Sequence, residues 1–166
     1  EINEKQKTII IPKIKNYFKG DLKGKKIAVW GLAFKPDTDD IREAPALYII
    51  DELLKAGANV SAYDPEAMNN VRKLVGDTIN FAMDEYDALR DADALVIATE
   101  WSLFRTPDFE KVSSLLKNKA IFDGAIMTWF WIGTVLPLLA LFLLSFTQGD
   151  TEFYQNWLSQ VQEDGL

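Results

Sequence analysis

Short apolar runs alternate with stretches of helical spacing over residues 20–124, and the alternation then gives way to one long uncharged run. Lys25-Lys26-Ile27-Ala28-Val29-Trp30 reads as a charged approach to a buried strand that ends at Gly31. Segments 59–63, 78–82, 94–98 and 120–122 read as four further strands. Between them, 44–56 carries Leu47, Ile50, Leu53 and Leu54 on one helical face, with Pro45 in a tolerated first-turn position and Gly57 as a stop. Segments 66–74, 84–90 and 108–116 read as the remaining helices, with Asp84 placed to cap its own. Residues 1–19 set Ile9, Ile10, Ile14, Tyr17 and Phe18 among charges at loosely helical spacing, with Pro12 as a kink or a late first turn.

The predicted order is β-α-β-α-β-α-β-α-β. Strands alternating with helices imply a parallel sheet with right-handed crossovers. Runs such as Ile27–Trp30 and 94–98 have the apolar content of strands covered on both faces. The expected fold is a small doubly wound, Rossmann-like α/β domain over 20–124, with strand order 3-2-1-4-5. In such a sheet the ligand lies beyond the carboxyl ends of the strands where the winding reverses. That places candidate chemistry on two loops, 31–43 and 99–107.

The first loop offers Gly31, Phe34, Lys35, Thr38, Asp39, Asp40 and Arg42. A glycine after a strand lets a ligand approach the backbone. An aromatic beside a lysine suits a planar ring next to a phosphate or hydroxyl. Arg42, just ahead of a helix start, suits a bidentate oxyanion partner, and the helix N-terminus adds attraction for anions. The alternative is a solvated loop whose carboxylates cap the next helix, and residue chemistry alone leaves the two balanced. Gly31 stands alone, so there is no GxGxxG dinucleotide fingerprint. In the second loop, Trp101 and Phe104 can wall a pocket or pack the helix on the sheet, and the core reading is the better one at this spacing. Asp64 sits where NAD domains place a ribose-binding acid. Without the glycine fingerprint it reads as a turn residue.

Composition narrows the chemistry. The chain has 166 residues, 18 Lys and Arg, 25 Asp and Glu, and a formal charge of −7. Residues 125–166 hold no base and four acids, so they carry −4 of that total. The acidic balance argues against a nucleic-acid partner, which needs a basic face. With no Cys there is no disulfide frame, thiolate zinc site or Cys nucleophile. With no His, only carboxylates remain as side-chain metal ligands, and the usual general base near pH 7 is missing. No metal site is expected. The N-terminal residues are charged and lack a signal-peptide core.

The stretch Gly31-Leu-Ala-Phe-Lys-Pro-Asp-Thr-Asp-Asp-Ile-Arg-Glu-Ala-Pro45 resembles the signature of the C-terminal, UDP-binding domain of UDP-glucose 6-dehydrogenases, in the UDP-glucose/GDP-mannose dehydrogenase family. Asn3-Glu4-Lys5-Gln6-Lys7, Tyr63-Asp64-Pro65, Ala92-Asp93-Ala94, Thr99-Glu100-Trp101 and Ile121-Phe122-Asp123-Gly124 agree with it. The likeness covers about residues 1–124. It implies an enzyme that oxidises the sugar C6 alcohol of UDP-glucose to a carboxylate, giving UDP-glucuronate, in two NAD-dependent hydride transfers. Thr99-Glu100-Trp101 favours UDP-glucose over UDP-N-acetylmannosamine. The resemblance assigns Phe34 and Lys35 to the UDP-sugar and Arg42 to the NAD side. It implies no catalytic residue in this chain.

The departures are equally specific. The family's catalytic cysteine, its catalytic lysine and its NAD fingerprint have no counterpart here, and Ala125 stands where the family has a substrate-touching arginine. The expected organisation is the end of a connecting helix over 1–19, a UDP-sugar-binding domain over 20–124, and an unrelated segment over 125–166. The chain is expected to be incomplete and inactive alone. Its partners would be the N-terminal NAD-binding part and the central dimerisation part of the enzyme.

Residues 126–147 are 22 consecutive uncharged positions, mostly apolar, with Trp129 and Trp131 near one end and Pro137 inside. A spanning helix needs about 20 residues. Interfacial aromatics and an internal proline suit a membrane helix, whereas a buried core helix of this length would overwhelm so small a domain. Insertion would keep the basic-residue-bearing domain in the cytoplasm and send 150–166 across. The alternative function is therefore a non-catalytic, membrane-tethered UDP-sugar-binding module, or a rearranged remnant.

Overall fold

The computed structural model describes residues 2–99 and 101–123. The uncharged run at 126–147 lies outside the described residues, and the membrane expectation lies there with it. Among the described residues, no helix is long and apolar enough to cross a membrane.

The elements are α1 (Ile2–Tyr17), β1 (Lys26–Trp30), α2 (Pro45–Lys55), β2 (Asn59–Tyr63), α3 (Met68–Val75), β3 (Asn80–Phe81), α4 (Glu85–Leu89), β4 (Ala92–Ile97), α5 (Ser102–Arg105), α6 (Phe109–Leu115) and β5 (Leu116–Asp123). The strands form one sheet in the order β3-β2-β1-β4-β5, and every pairing is parallel. This is the predicted order, with the winding reversing between β1 and β4.

Strand alternation sorts the core into two faces. Ile27 and Val29 of β1, with Ala94 and Val96 of β4, meet Ile10, Ile11 and Ile14 of α1, Ile49, Ile50 and Leu53 of α2, and Val71 of α3. The intervening residues Ala28, Trp30 and Leu95, joined by Ala92 across an irregularity in β4 between Ala92 and Ala94, meet Ala88 and Leu89 of α4, Phe104 of α5 and Val112 of α6. Both central strands are thus apolar on both sides because both sides are covered. Helix α1 shares the first of these cores with the sheet.

Several element bounds move from the sequence reading, and the larger differences have local reasons. The third strand shortens because the Thr78 hydroxyl donates to the Val75 carbonyl and ends α3 instead of pairing with β2. The fifth strand begins at Leu116, directly after α6, and runs through exposed Lys117, Asn118 and Lys119. Those residues hide it from any search for apolar runs. Lysines suit an edge strand that must not pair with another chain. The segment 99–107, read as a loop, contains the single turn α5.

Gly31 ends β1 at φ 88°, and a Cβ there would meet the Thr99 Cβ at 2.5 Å and the Thr99 backbone N at 2.7 Å. The backbone conformation and the space both require glycine. Gly31→Ala should lower unfolding free energy by about 1–3 kcal/mol through combined overpacking and backbone strain, seen as a lower urea midpoint at unchanged slope.

Candidate functional site

Asp64 closes β2 with its side chain fully buried. One carboxylate oxygen, Oδ2, accepts the backbone N–H of Leu32 at 2.7 Å and of Ala33 at 3.1 Å, and the Trp101 indole N–H at 3.2 Å. The other, Oδ1, accepts the backbone N–H of Glu66 at 2.9 Å and of Ala67 at 2.7 Å. A buried carboxylate is costly unless its lone pairs are satisfied, and five donors do that here. The turn-residue reading accounts for Oδ1 alone. Through Oδ2 the same group also ties down the loop after β1 and the loop after β4. An Asp-Pro pair after a strand is a legible signal for the first role, and nothing local signals the second.

Two further contacts join those loops. The Thr99 hydroxyl donates to the Ala33 carbonyl at 2.6 Å, and the Ala98 N–H donates to the Trp30 carbonyl at 2.8 Å. The close approach that Gly31 permits is therefore taken by Thr99, which corrects the expectation that it serves a ligand. The Asp64 carboxylate, at the ribose-acid position, is likewise turned inward and fully bonded. These residues do not fit a dinucleotide held between β1 and β4.

Beyond this anchored base the loop rises to an exposed tip. The Phe34 N–H donates to the Asp40 carbonyl at 2.8 Å and closes a short loop between them. Asp37 inside it has φ 58°, and Glu43 beyond it has φ 58° as well. Phe34 is 37% exposed, a large ring left in water, and Lys35 beside it is exposed. The loop's carboxylates do not cap α2, whose cap residue is Ala44 with no side-chain hydrogen bond. Trp101 and Phe104 are buried, Phe104 stacked on Trp30 with ring centroids 5.1 Å apart, as the core reading holds.

Arg42 is paired with Asp40. Its Nε reaches Oδ1 at 2.9 Å and its Nη2 reaches Oδ2 at 2.7 Å, in a side-on fork. The Arg42 side chain is 87% exposed. Its hydrogen bonds hold the Asp40 carboxyl down to about 2, with a smaller contribution from the charge of Lys35. Asp39 accepts the Asn70 amide of α3 at 3.0 Å. An open groove of about 730 Å³ separates this loop from α3, lined by residues that include Asp40, Arg42, Asn70 and Lys73. Phe34 and Lys35 lie outside its lining, so the groove and the exposed tip are separate features of the loop. Among the described residues no cluster of acidic side chains could hold a metal ion.

Residues 28–128 match the UDP binding domain of the UDP-glucose/GDP-mannose dehydrogenase family. The chain belongs to this family. Among curated relatives, a UDP-glucose 6-dehydrogenase of Rhizobium meliloti is 45% identical over 122 residues, which cover 74% of this chain and 28% of that protein. The UDP-glucose 6-dehydrogenase TuaD of Bacillus subtilis is 44% identical over 124 residues, covering 75% of this chain and 27% of its own length. Among solved structures, a UDP-glucose dehydrogenase of Pyrobaculum islandicum superposes with a TM-score of 0.64 at 31% identity, over 73% of this chain and 26% of that one. The chain thus spans little more than a quarter of the length of these relatives.

The Asp40–Arg42 fork has a pH signature. Asp40 titrates below its ordinary value of 3.8, so the pair's contribution is full above that value and is lost as pH falls toward about 2. A carboxyl-carbon NMR titration should give a midpoint near the lower figure, and Arg42→Ala should return it toward 3.8. An unchanged midpoint in the variant would show that the fork does not form in solution.

Proposed function

We propose that this chain supplies the UDP-binding domain of a UDP-glucose 6-dehydrogenase, with Phe34 and Lys35 meeting the UDP-sugar and Arg42 facing the NAD side of the assembled enzyme. The observation that supports this most is the exposed Phe34–Lys35 tip on a loop whose base is fixed by buried hydrogen bonds. A large ring and a cation held in water, with no hydrogen bond or ion pair of their own among the described residues, are available to a base or sugar and an oxyanion. The names of the relatives supply the substrate class.

In this reading residues 1–19 end a connecting helix, 20–124 bind the nucleotide sugar, and 125–166 are a separate hydrophobic segment. NAD would supply the hydride acceptor for oxidation of the sugar C6 alcohol and is held by another part of the enzyme. The present residues bind and orient. Lys35 is a point charge suited to a hydroxyl or a single phosphate oxygen. Arg42 carries a planar fork, and Asp40 holds it in place. The chain has no Cys to act as the nucleophile. A membrane-tethered, non-catalytic module is the second reading. It rests on the uncharged run at 126–147, and it requires tight UDP binding by the chain alone.

The chain alone, given UDP-glucose and NAD, should produce no NADH, and calorimetry should find UDP binding weak. Tight binding abolished by Lys35→Ala would instead favour the module. When activity is restored by separately expressed NAD-binding and central parts, Lys35→Ala should mainly weaken UDP-glucose use and Arg42→Ala mainly NAD use. Each lost charge-assisted bond should cost about 1.5–3 kcal/mol, roughly one to two decades in kcat/KM. Equal losses for both substrates would refute that division of labour.

A further inference from the structure

We propose that Asp64 is a positioning residue for nucleotide-sugar binding, acting through the loop that carries Phe34 and Lys35. This rests on the reading that Lys35 meets the UDP-sugar. The carboxylate is bonded to Ala33, two residues before Lys35, and acts on the ligand contact through that backbone. Its Oδ2 holds the N–H groups of Leu32 and Ala33, the last two residues before Phe34. The same oxygen holds the Trp101 indole, so the loop after β4 is fixed against the loop after β1 by one atom. Oδ1 meanwhile fixes the turn into α3 through Glu66 and Ala67.

Farther along, the loop is held to α3 by the Asn70 amide, which donates to the Asp39 carbonyl and carboxylate. The Phe34–Asp40 backbone bond closes it, and the Thr99 hydroxyl holds the Ala33 carbonyl. A flexible exposed lysine loses binding energy to conformational entropy when it must be ordered by the ligand, and a fixed backbone at its root reduces that cost. Asp64 provides that fixed root. Asparagine at this position would keep the shape but turn an N–H₂ donor toward one of the two donor sets. Either loss is a local repulsion at a buried site. If the amide faces Leu32, Ala33 and Trp101, the root of the loop is released. If it faces Glu66 and Ala67, their turn opens instead, and the Trp101 indole signal reports which orientation is taken.

A double-variant cycle on the full 166-residue chain separates a positioning role from a merely structural one. UDP-glucose is the probe, titrated by ligand-observed NMR, which reads millimolar dissociation constants. The indole N–H signals of Trp101 and Trp30 serve as local reporters, since the Trp30 indole donates to the Glu85 carbonyl away from Asp64. Lys35→Ala is expected to weaken UDP-glucose at least tenfold. Trp101→Phe, which removes a single donor to Oδ2, is expected to weaken it about threefold to tenfold with the fold intact. Asp64→Asn is expected to weaken it at least tenfold, shifting the Trp101 signal and leaving that of Trp30 in place.

The deciding measurement is the combination. Lys35→Ala added to Trp101→Phe or to Asp64→Asn should cost less than threefold beyond the larger single loss, because both act through one contact. Losses that multiply, a folded Trp101→Phe chain that binds like the parent, or a folded Asp64→Asn chain whose Trp101 signal shifts while it binds like the parent, overturn the positioning role while leaving Lys35 as a ligand contact. An Asp64→Asn chain that does not fold leaves the decision to Trp101→Phe and its double variant. Binding unchanged by Lys35→Ala, or no binding by the parent chain, overturns the ligand reading and the positioning role together.

Discussion

A carboxylate sealed inside a protein must be surrounded by donors, and the fold around Asp64 is arranged to supply them. Five N–H groups converge on its two oxygens from three separate places in the sequence. All of them lie at the carboxyl ends of the parallel strands. Backbone N–H groups at the end of β1 commonly face a bound anion in doubly wound domains. Here the protein provides the anion itself. The donors are satisfied before any ligand arrives, and Thr99 closes the remaining space against Gly31.

That internal anion moves the chemistry outward. With the switch-point crevice filled, the groups left for a ligand are those on the rising part of the loop. Phe34 and Lys35 stand there in water, while Arg42 is engaged by Asp40 on the flank nearer α3. The pairing does not remove Arg42 from use. It fixes the orientation of the guanidinium, and a fork held in place loses less entropy on meeting a second partner than a free one. In the proposed reading the site is a surface feature of this domain, on a chain that spans little more than a quarter of the length of its relatives.

The sheet was legible because its period was. Ile27–Trp30 and the run at 94–98 are apolar at every position, which only a doubly covered strand tolerates. The edges were less legible, because an edge strand need not be apolar. Lys117 and Lys119 carry β5 without a hydrophobic signal. For the loop, the sequence revealed which residues bear chemistry but not which of them the fold would claim. Asp64 looked like a turn residue, and half of its carboxylate is one. Its other oxygen meets donors more than thirty residues away, and no local pattern encodes a partner at that distance. The choice of Asp40 for Arg42 likewise depends on how the loop bends between positive φ values at Asp37 and Glu43.

Family likeness alone does not separate residues that build the domain from residues that meet a ligand, but the bonding does. Asp93, in the Ala92-Asp93-Ala94 stretch, accepts the Lys26 backbone N–H and the Asn118 amide at the amino end of the sheet, opposite the loops. It pins β1 and β5 to β4. Trp101 gives its indole N–H to Asp64, and Thr99 gives its hydroxyl to Ala33. Each of these is fully occupied by the fold. Subtracting them from the signature leaves several exposed side chains on the loop, among them Phe34 and Lys35, which the fold engages with no side-chain hydrogen bond or ion pair among the described residues. Phe34 keeps 37% of its surface exposed, and Lys35 contributes to the folded domain only a minor charge interaction with Asp40. Their placement beside one another on an anchored loop is what the proposed role in binding calls for.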